Sequence, residues 1–371
     1  MKGNKKVLYL GGFELPDKNA AAQRVVSNAK LLREMGSHVT FVGISKDITN
    51  APKIVDGFSC FPIPYPKNVI QWLRQITTYI SSDKILDCQP DYVILYNFPA
   101  LASLNVLRSC HKHGIKVIHD LTEWEQSDGY SPRNIIKRLD TALRMRYCMK
   151  KMDGVIAISR FLYNLYKDEV NTVLMPPTVD LSNKKWNRDR DISSNSPITL
   201  VYAGSPGAGV KDRLDLIIDA VKDRMNMRLR IIGLTKNQYE ESFNKAHSHF
   251  NNIEFFGRLP HENAIKEVCN ADFQMLIRDR NRKNDAGFPT KFVESMTCGT
   301  PVIATVFSNI LDYLHDGENG FVINNSQTLN DILDKIVVMD ADDILRMKKN
   351  CIEMKVFDYH YYKSEFEKLF V

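Results

Sequence analysis

Short runs of β-branched and aliphatic residues alternate with longer stretches of helical spacing along most of the chain. That alternation predicts βα units feeding a parallel sheet. In the first half the predicted strands are KVLYL (6–10), HVTFVGI (38–44), DYVILY (91–96), KVIHD (116–120), GVIAIS (154–159) and NTVLM (171–175). Between the first two, Val25, Val26, Ala29, Leu32 and Met35 recur at helical spacing and Gly36 follows, which reads as a helix with a glycine stop.

The pattern restarts after a polar stretch at 179–197 that ends in proline and reads as a linker. Six further strands are predicted: ITLVYA (198–203), RLRIIGL (228–234), NIEFFG (252–257), DFQMLI (272–277), PVIAT (301–305) and GFVI (320–323). Each half opens with an apolar strand, a glycine-containing turn and a helix. The expected fold is therefore α/β, with two doubly wound Rossmann-like domains facing across a cleft. Ligands of such sheets bind at the carboxyl ends of the strands. The loops after YLGG, VIHD, YAGS and LIRDRNRKNDAGF are thus the places to look for function.

One of these loops leads into GFPTKFVESMTCGTPVIA (287–304). A helix beginning near Pro289 or Thr290 would bury Phe292, Val293 and Met296, and leave Glu294 on another face. Its free first-turn amides, beside Lys291, would suit a diphosphate, and Glu294 a ribose diol. A glutamate stabilised by the helix dipole and a solvated lysine account for the same residues without a ligand. A second loop, YAGSPGAGVKD (202–212), carries Gly204, Gly207 and Gly209 around Ser205 and Pro206, then Lys211. Glycines let a backbone approach phosphate and a lysine neutralises it.

Bulk properties narrow the class. The 371 residues are 44% hydrophobic and 25% charged, which suits a two-domain globular protein. A net charge of +6 is modest and predicts no nucleic-acid partner. Seven cysteines occur singly, without a CxxC pair, and point to a reduced, cytoplasmic protein without a structural zinc site. The basic N-terminus lacks the apolar middle of a signal peptide. CHKH (110–113) offers no fourth metal ligand.

Together, YAGSPGAGVKD, NIEFFGRLPHENAIKEVCNADF, GFPTKFVESMTCGTPVIA and LHDGENGFVI resemble, in order, the nucleotide-sugar domain of family-4 glycosyltransferases, which have the GT-B fold. KVLYLGGFELPDKNAAAQRV, VIHDL, DGVIAISRF and VLMPPTVDL resemble that family's acceptor domain. The resemblance implies an acceptor domain at 1–182, a nucleotide-sugar domain at 183–355, and a C-terminal segment 356–371 that packs back on the first. It implies that Lys211 holds the donor diphosphate, that Gly204 and Ser205 flank it, and that Gly287, Phe288, Pro289, Thr290 and Lys291 cradle sugar and phosphate. Glu294 matches the second glutamate of the family's Glu-x7-Glu motif. The first falls at Ala286 and is absent, with Asp285 the neighbouring substitute and Asn284 a weaker one. In the first half the resemblance places Gly11, Gly12, Glu123, Ser159 and Arg160 on the acceptor side, and His119 and Asp120 at the reaction centre. Ser159 also reads as a helix cap.

The implied reaction moves a sugar from a nucleoside-diphosphate sugar, UDP-linked by family prevalence, to a saccharide or lipid-linked acceptor. It retains configuration and uses no metal or other cofactor. Two basic amphipathic segments, YPKNVIQWLRQITTYI (65–80) and SPRNIIKRLDTALRMRYCMKKMD (131–153), suit an anionic membrane surface, so peripheral association with the inner face is expected. GGFELPDKN is not a dinucleotide fingerprint, which argues against an oxidoreductase. A sugar-nucleotide epimerase of the same fold, and a catalytically silent nucleotide-sugar-binding or scaffold protein, remain the alternatives.

Overall fold

The computed structural model describes residues 4–16, 20–49, 51–127, 129–186, 197–205, 211–245 and 249–370. The chain divides into two compact units. Met1–Val179, Ala286–Phe288 and Tyr359–Val371 form one, and Asp180–Asp285 with Pro289–Asp358 the other.

Among the described residues the first unit is built on eight strands: β1 (Lys6–Gly11), β2 (His38–Ser45), β3 (Lys53–Val55), β4 (Phe58–Pro64), β5 (Tyr92–Tyr96), β6 (Lys116–Leu121), β7 (Gly154–Ala157) and β8 (Thr172–Leu174). Their order is β3-β4-β2-β1-β5-β6-β7-β8. All pairs are parallel except β3 with β4. β3 and β4 add a hairpin to the predicted strands. Asp56 and Gly57 turn it, both at positive φ (48° and 80°), as a tight hairpin turn demands.

The helix Ala20–Glu34 lays Val25, Val26, Ala29 and Leu32 against Tyr9 and Phe41 of the sheet. Gly36, at φ 83°, ends that stretch as the glycine stop anticipated. The C-terminal residues complete the same core through Tyr359, Tyr362, Phe366 and Phe370.

Among the described residues the second unit has six parallel strands: β9 (Ile198–Ala203), β10 (Met227–Ile232), β11 (Ile253–Gly257), β12 (Phe273–Leu276), β13 (Val302–Thr305) and β14 (Gly320–Ile323), in the order β11-β10-β9-β12-β13-β14. The order reverses between β9 and β12 here, and between β1 and β5 in the first unit. A switch of this kind opens a crevice at the strand ends, where open α/β sheets bind ligands.

Among the described residues no helix is long and apolar enough to cross a membrane. All seven cysteines are free thiols. Much of the linker read at 179–197, and Pro206, Gly207 and Gly209 of the glycine-rich loop, lie outside the described residues.

Candidate active site

The switch point of the second unit gathers several of the residues expected on the donor side. The helix Thr290–Thr297 starts there, with Pro289 at its cap and no side-chain cap hydrogen bond. Phe292, Val293 and Met296 are buried as the spacing required, and Gly299 ends the helix at φ 67°. Glu294 stays half-buried on a different face, where one oxygen lies 2.8 Å from Nε2 of His261, the first residue of the helix His261–Cys269.

Lys291 is held more tightly. Its Nζ bonds the Asp212 carboxylate, lies 3.0 Å from the Tyr202 hydroxyl and 3.5 Å from the Ser205 carbonyl. Gly204 lies against it at φ 123°. A Cβ there would sit 3.1 Å from both Cε and Nζ of Lys291, so the backbone angle calls for glycine and a side chain would press on the ammonium. Asp212 also accepts from Nε of Arg278 and from the Tyr202 hydroxyl at 2.7 Å. Burial works to raise the Asp212 carboxyl, but Lys291 and Arg278 prevail and hold it at about 2. Its stabilising contribution is therefore present above the ordinary carboxylate range and lost only as pH falls towards 2. Burial pulls the Lys291 ammonium below its ordinary value, against the attraction of Asp212.

Asp285, the expected substitute for the missing glutamate, accepts from the Ser308 amide at 2.9 Å and lies 3.6 Å from Nε of Arg280. Asn284 donates to the Asp279 carbonyl at 2.6 Å. Ala286, Gly287, Phe288 and Pro289 are buried, and Thr290 and Lys211 are half-buried.

In the first unit, Gly11 brings β1 against β5. A Cβ on it would fall 2.6 Å from Tyr96 Cβ and 2.7 Å from Tyr96 O, so no larger residue fits. Gly12 is exposed beyond it. Asn97, at φ 42°, braces the same edge by accepting from the Thr122 amide at 2.9 Å, with its amide nitrogen 3.4 Å from exposed Glu123. Ser159 is buried. It caps the helix Arg160–Tyr166 through the Leu162 amide and donates to the Ala286 carbonyl at 2.8 Å, while Arg160 is exposed.

His119 and Asp120, expected at a reaction centre, are both fully buried. Successive residues of β6 point to opposite faces of the sheet. Asp120 meets Arg24 through two nitrogens at 2.8 and 3.0 Å, the Tyr9 hydroxyl at 2.6 Å and Asn28 at 3.3 Å. Arg24 extends the lattice to the carbonyls of Met175 and Pro176. Loss of either ionic partner would strand a buried charge, a penalty of about 3–5 kcal/mol.

On the other face, burial and then the Arg144 charge push the His119 imidazole down to about 3. An unfolded chain takes up that proton near the ordinary histidine value, so the group's contribution is whole above it and fades as pH falls towards 3. Replacing His119 with glutamine is expected to flatten the fall of melting temperature between neutral and acidic pH. An unchanged slope would show that other groups set it.

Several residues here were given no role from the sequence: Asp212, Arg278 and Tyr202 gather at Lys291, His261 meets Glu294, and in the first unit Arg24 meets Asp120 while Asn97 holds Thr122. Arg278 follows the end of β12 and His261 opens a helix after β11, so the strand-end rule was the available signal for both. Among the described residues no three or more His, Cys, Asp or Glu gather as a metal-binding group would.

Two doubly wound sheets, with a ligand-suited switch point in each, define the GT-B class of fold. Residues 190–354 match the family described as Glycosyl transferases group 1. The uncharacterised glycosyltransferase MJ1178 of Methanocaldococcus jannaschii is 24% identical over 235 residues, 63% of this chain and 62% of that protein. The match thus spans less than two thirds of that relative. Sucrose-phosphate synthase from Thermosynechococcus elongatus superposes with a TM-score of 0.71 at 13% identity, covering 99% of this chain and 98% of that one. Anabaena Alr3699/HepE, solved in complex with UDP-glucose, gives 0.67 at 15% identity, covering 99% of each chain.

Proposed function

We propose that this protein is a glycosyltransferase that moves a sugar from a nucleoside-diphosphate sugar, a UDP-sugar in the first instance, to a saccharide or lipid-linked acceptor. The single observation that carries this reading is the uncapped start of the helix 290–297, with Lys291 and Glu294 beside it and Gly204 packed closely against Lys291. Amides and an ammonium aimed at one point stabilise charge that grows there. Such charge grows on the diphosphate as its bond to the sugar breaks. The UDP-glucose bound by the Anabaena neighbour supports the choice of donor.

In this reading Glu294, oriented by His261, accepts from the ribose diol. Lys211, Ser205 and residues 287–290 surround phosphate and sugar, and Asp285 stands near the sugar in place of the absent glutamate. The protein's own cations offset the diphosphate charge, so the reaction is metal-independent, and the departing diphosphate takes the acceptor's proton as the acceptor bonds to the sugar on the face just vacated, with retention. Gly11, Gly12, Glu123, Ser159 and Arg160 form the acceptor side. His119 and Asp120 act from beneath that side, because neither presents a polar atom to solvent. A thermal-shift screen of sugar nucleotides tests the donor assignment. Stabilisation by one UDP-sugar above its free nucleoside supports it, and no shift with any nucleotide would overturn it. Transfer to an added acceptor, unaffected by chelator, separates this reaction from epimerisation, which needs no acceptor.

A lipid-linked acceptor is favoured by one surface of the first unit. The helix Val69–Thr77 buries none of its residues and Pro132–Leu143 buries only Thr141. Val69, Ile70 and Leu139 are more than 60% exposed, and a cavity of about 510 Å³ between the helices is lined by Val69, Trp72, Leu73 and Ile136. Arg133 lies over Trp72 at 5.4 Å, and Lys67, Arg74 and Arg138 add positive charge, whereas Lys137 is paired with Glu125 at 2.9 Å. Each such cation near an anionic surface contributes about 1 kcal/mol. The protein is expected to sediment with phosphatidylglycerol vesicles at low salt and to release at high salt, at the inner face of the membrane in a cell. Equal recovery with neutral vesicles would contradict this.

A further inference from the structure

Arg278 stands just past β12, at the switch point, and is 8% exposed. Its backbone is pinned on both sides by Thr305, whose hydroxyl accepts from the Arg278 amide and donates to its carbonyl, each at 2.8 Å. The guanidinium lies 5.0 Å from the Phe307 ring centre and gives Nε to one oxygen of Asp212. Lys291 and Tyr202 occupy the other oxygen. Among the described residues neither Nη atom of Arg278 has a hydrogen-bond partner.

Two cations therefore share one carboxylate. Lys291 alone would neutralise Asp212, and bringing a second cation out of water costs several kcal/mol unless another anion joins it. The arrangement leaves an excess positive charge, and the open edge of a guanidinium is the group best shaped to hold a phosphate through two parallel bonds.

We propose that Arg278 binds the donor's diphosphate alongside Lys291, with Asp212 as the positioning residue that holds the two cations side by side. This rests on the donor reading above and adds a contact to it. When the diphosphate enters, the Nη edge of Arg278 and the ammonium of Lys291 both reach it, and Asp212 keeps Nε and Nζ in place.

The test uses the full chain with Arg278→Gln and Arg278→Lys, and titrates UDP, uridine and inorganic pyrophosphate by calorimetry. Arg278→Gln is expected to weaken UDP and pyrophosphate by about 10- to 100-fold and uridine by less than about 2-fold. Arg278→Lys keeps a charge against Asp212 but loses the fork, so it should recover only part of the affinity. It also serves if the glutamine variant does not fold. A purely structural Arg278 would leave all three affinities unchanged, or lower them equally, and either result overturns the proposal. Failure of the wild-type protein to bind any of the three would overturn the donor reading as well, so the two failures are distinguishable.

Discussion

Lys291→Met is expected to lower turnover by about 10²- to 10³-fold while the KM for the sugar nucleotide changes by no more than a few-fold. The reason is where the charge appears. In the ground state the diphosphate is already held by the amides at the helix start and by the fork of Arg278, so the Lys291 ammonium adds little to binding. As the sugar leaves, the new charge falls on oxygens that the ammonium can reach, and in a site with little water that interaction is far stronger than in solvent. The fold should survive, because Asp212 retains Arg278 and the Tyr202 hydroxyl. Arginine is not expected to substitute, since the closely packed Gly204 leaves no room for a guanidinium beside it. Steady-state kinetics on both variants, with urea unfolding alongside, checks this. Turnover within a few-fold of wild type would remove Lys291 from the chemistry.

Glu294→Ala should act on binding instead. Hydrogen bonds to a carboxylate contribute about 1.5–3 kcal/mol, so UDP affinity should fall about 10- to 100-fold. The partner on the ligand identifies the contact. With 2′-deoxy-UDP the wild-type protein should already have lost part of that affinity, and the alanine variant should lose less further. The two changes remove the same interaction and cannot add. His261 loses its partner at 2.8 Å in this variant, so His261→Ala is a useful control and should show a smaller loss of the same kind. Full additivity of the sugar and side-chain changes would place the ribose elsewhere.

Much of the fold was legible because a buried parallel strand has to be a short apolar run, and all twelve predicted runs became strands within a few residues of their expected ends. The two additional strands sit in the stretch KIVDGFSCFPIP (53–64), where two prolines mask the apolar pattern. Its Asp56-Gly57 pair was nonetheless the local sign of a hairpin. On the donor side, glycine and proline punctuation marked the helix start near 290, since those residues constrain a backbone on their own.

Charges were harder to read, because their meaning depends on partners far along the chain. Asp120 reads as a strand-end acid, and only the fold shows it meeting Arg24, 96 residues away. Asp212, Arg278 and Lys291 come from three separate stretches of the chain, and no spacing rule joins them. Lys211 and Lys291 were visible as cations near glycines, whereas Arg278 sat unmarked among the neighbouring arginines of LIRDRNRK (276–283).

The most direct measurement is a crystal structure of the protein soaked with UDP. The diphosphate should lie against the first-turn amides of the helix Thr290–Thr297, within hydrogen-bond reach of the Lys291 ammonium, and the ribose hydroxyls against Glu294. UDP bound away from that helix start, or with its ribose turned from Glu294, would contradict the account.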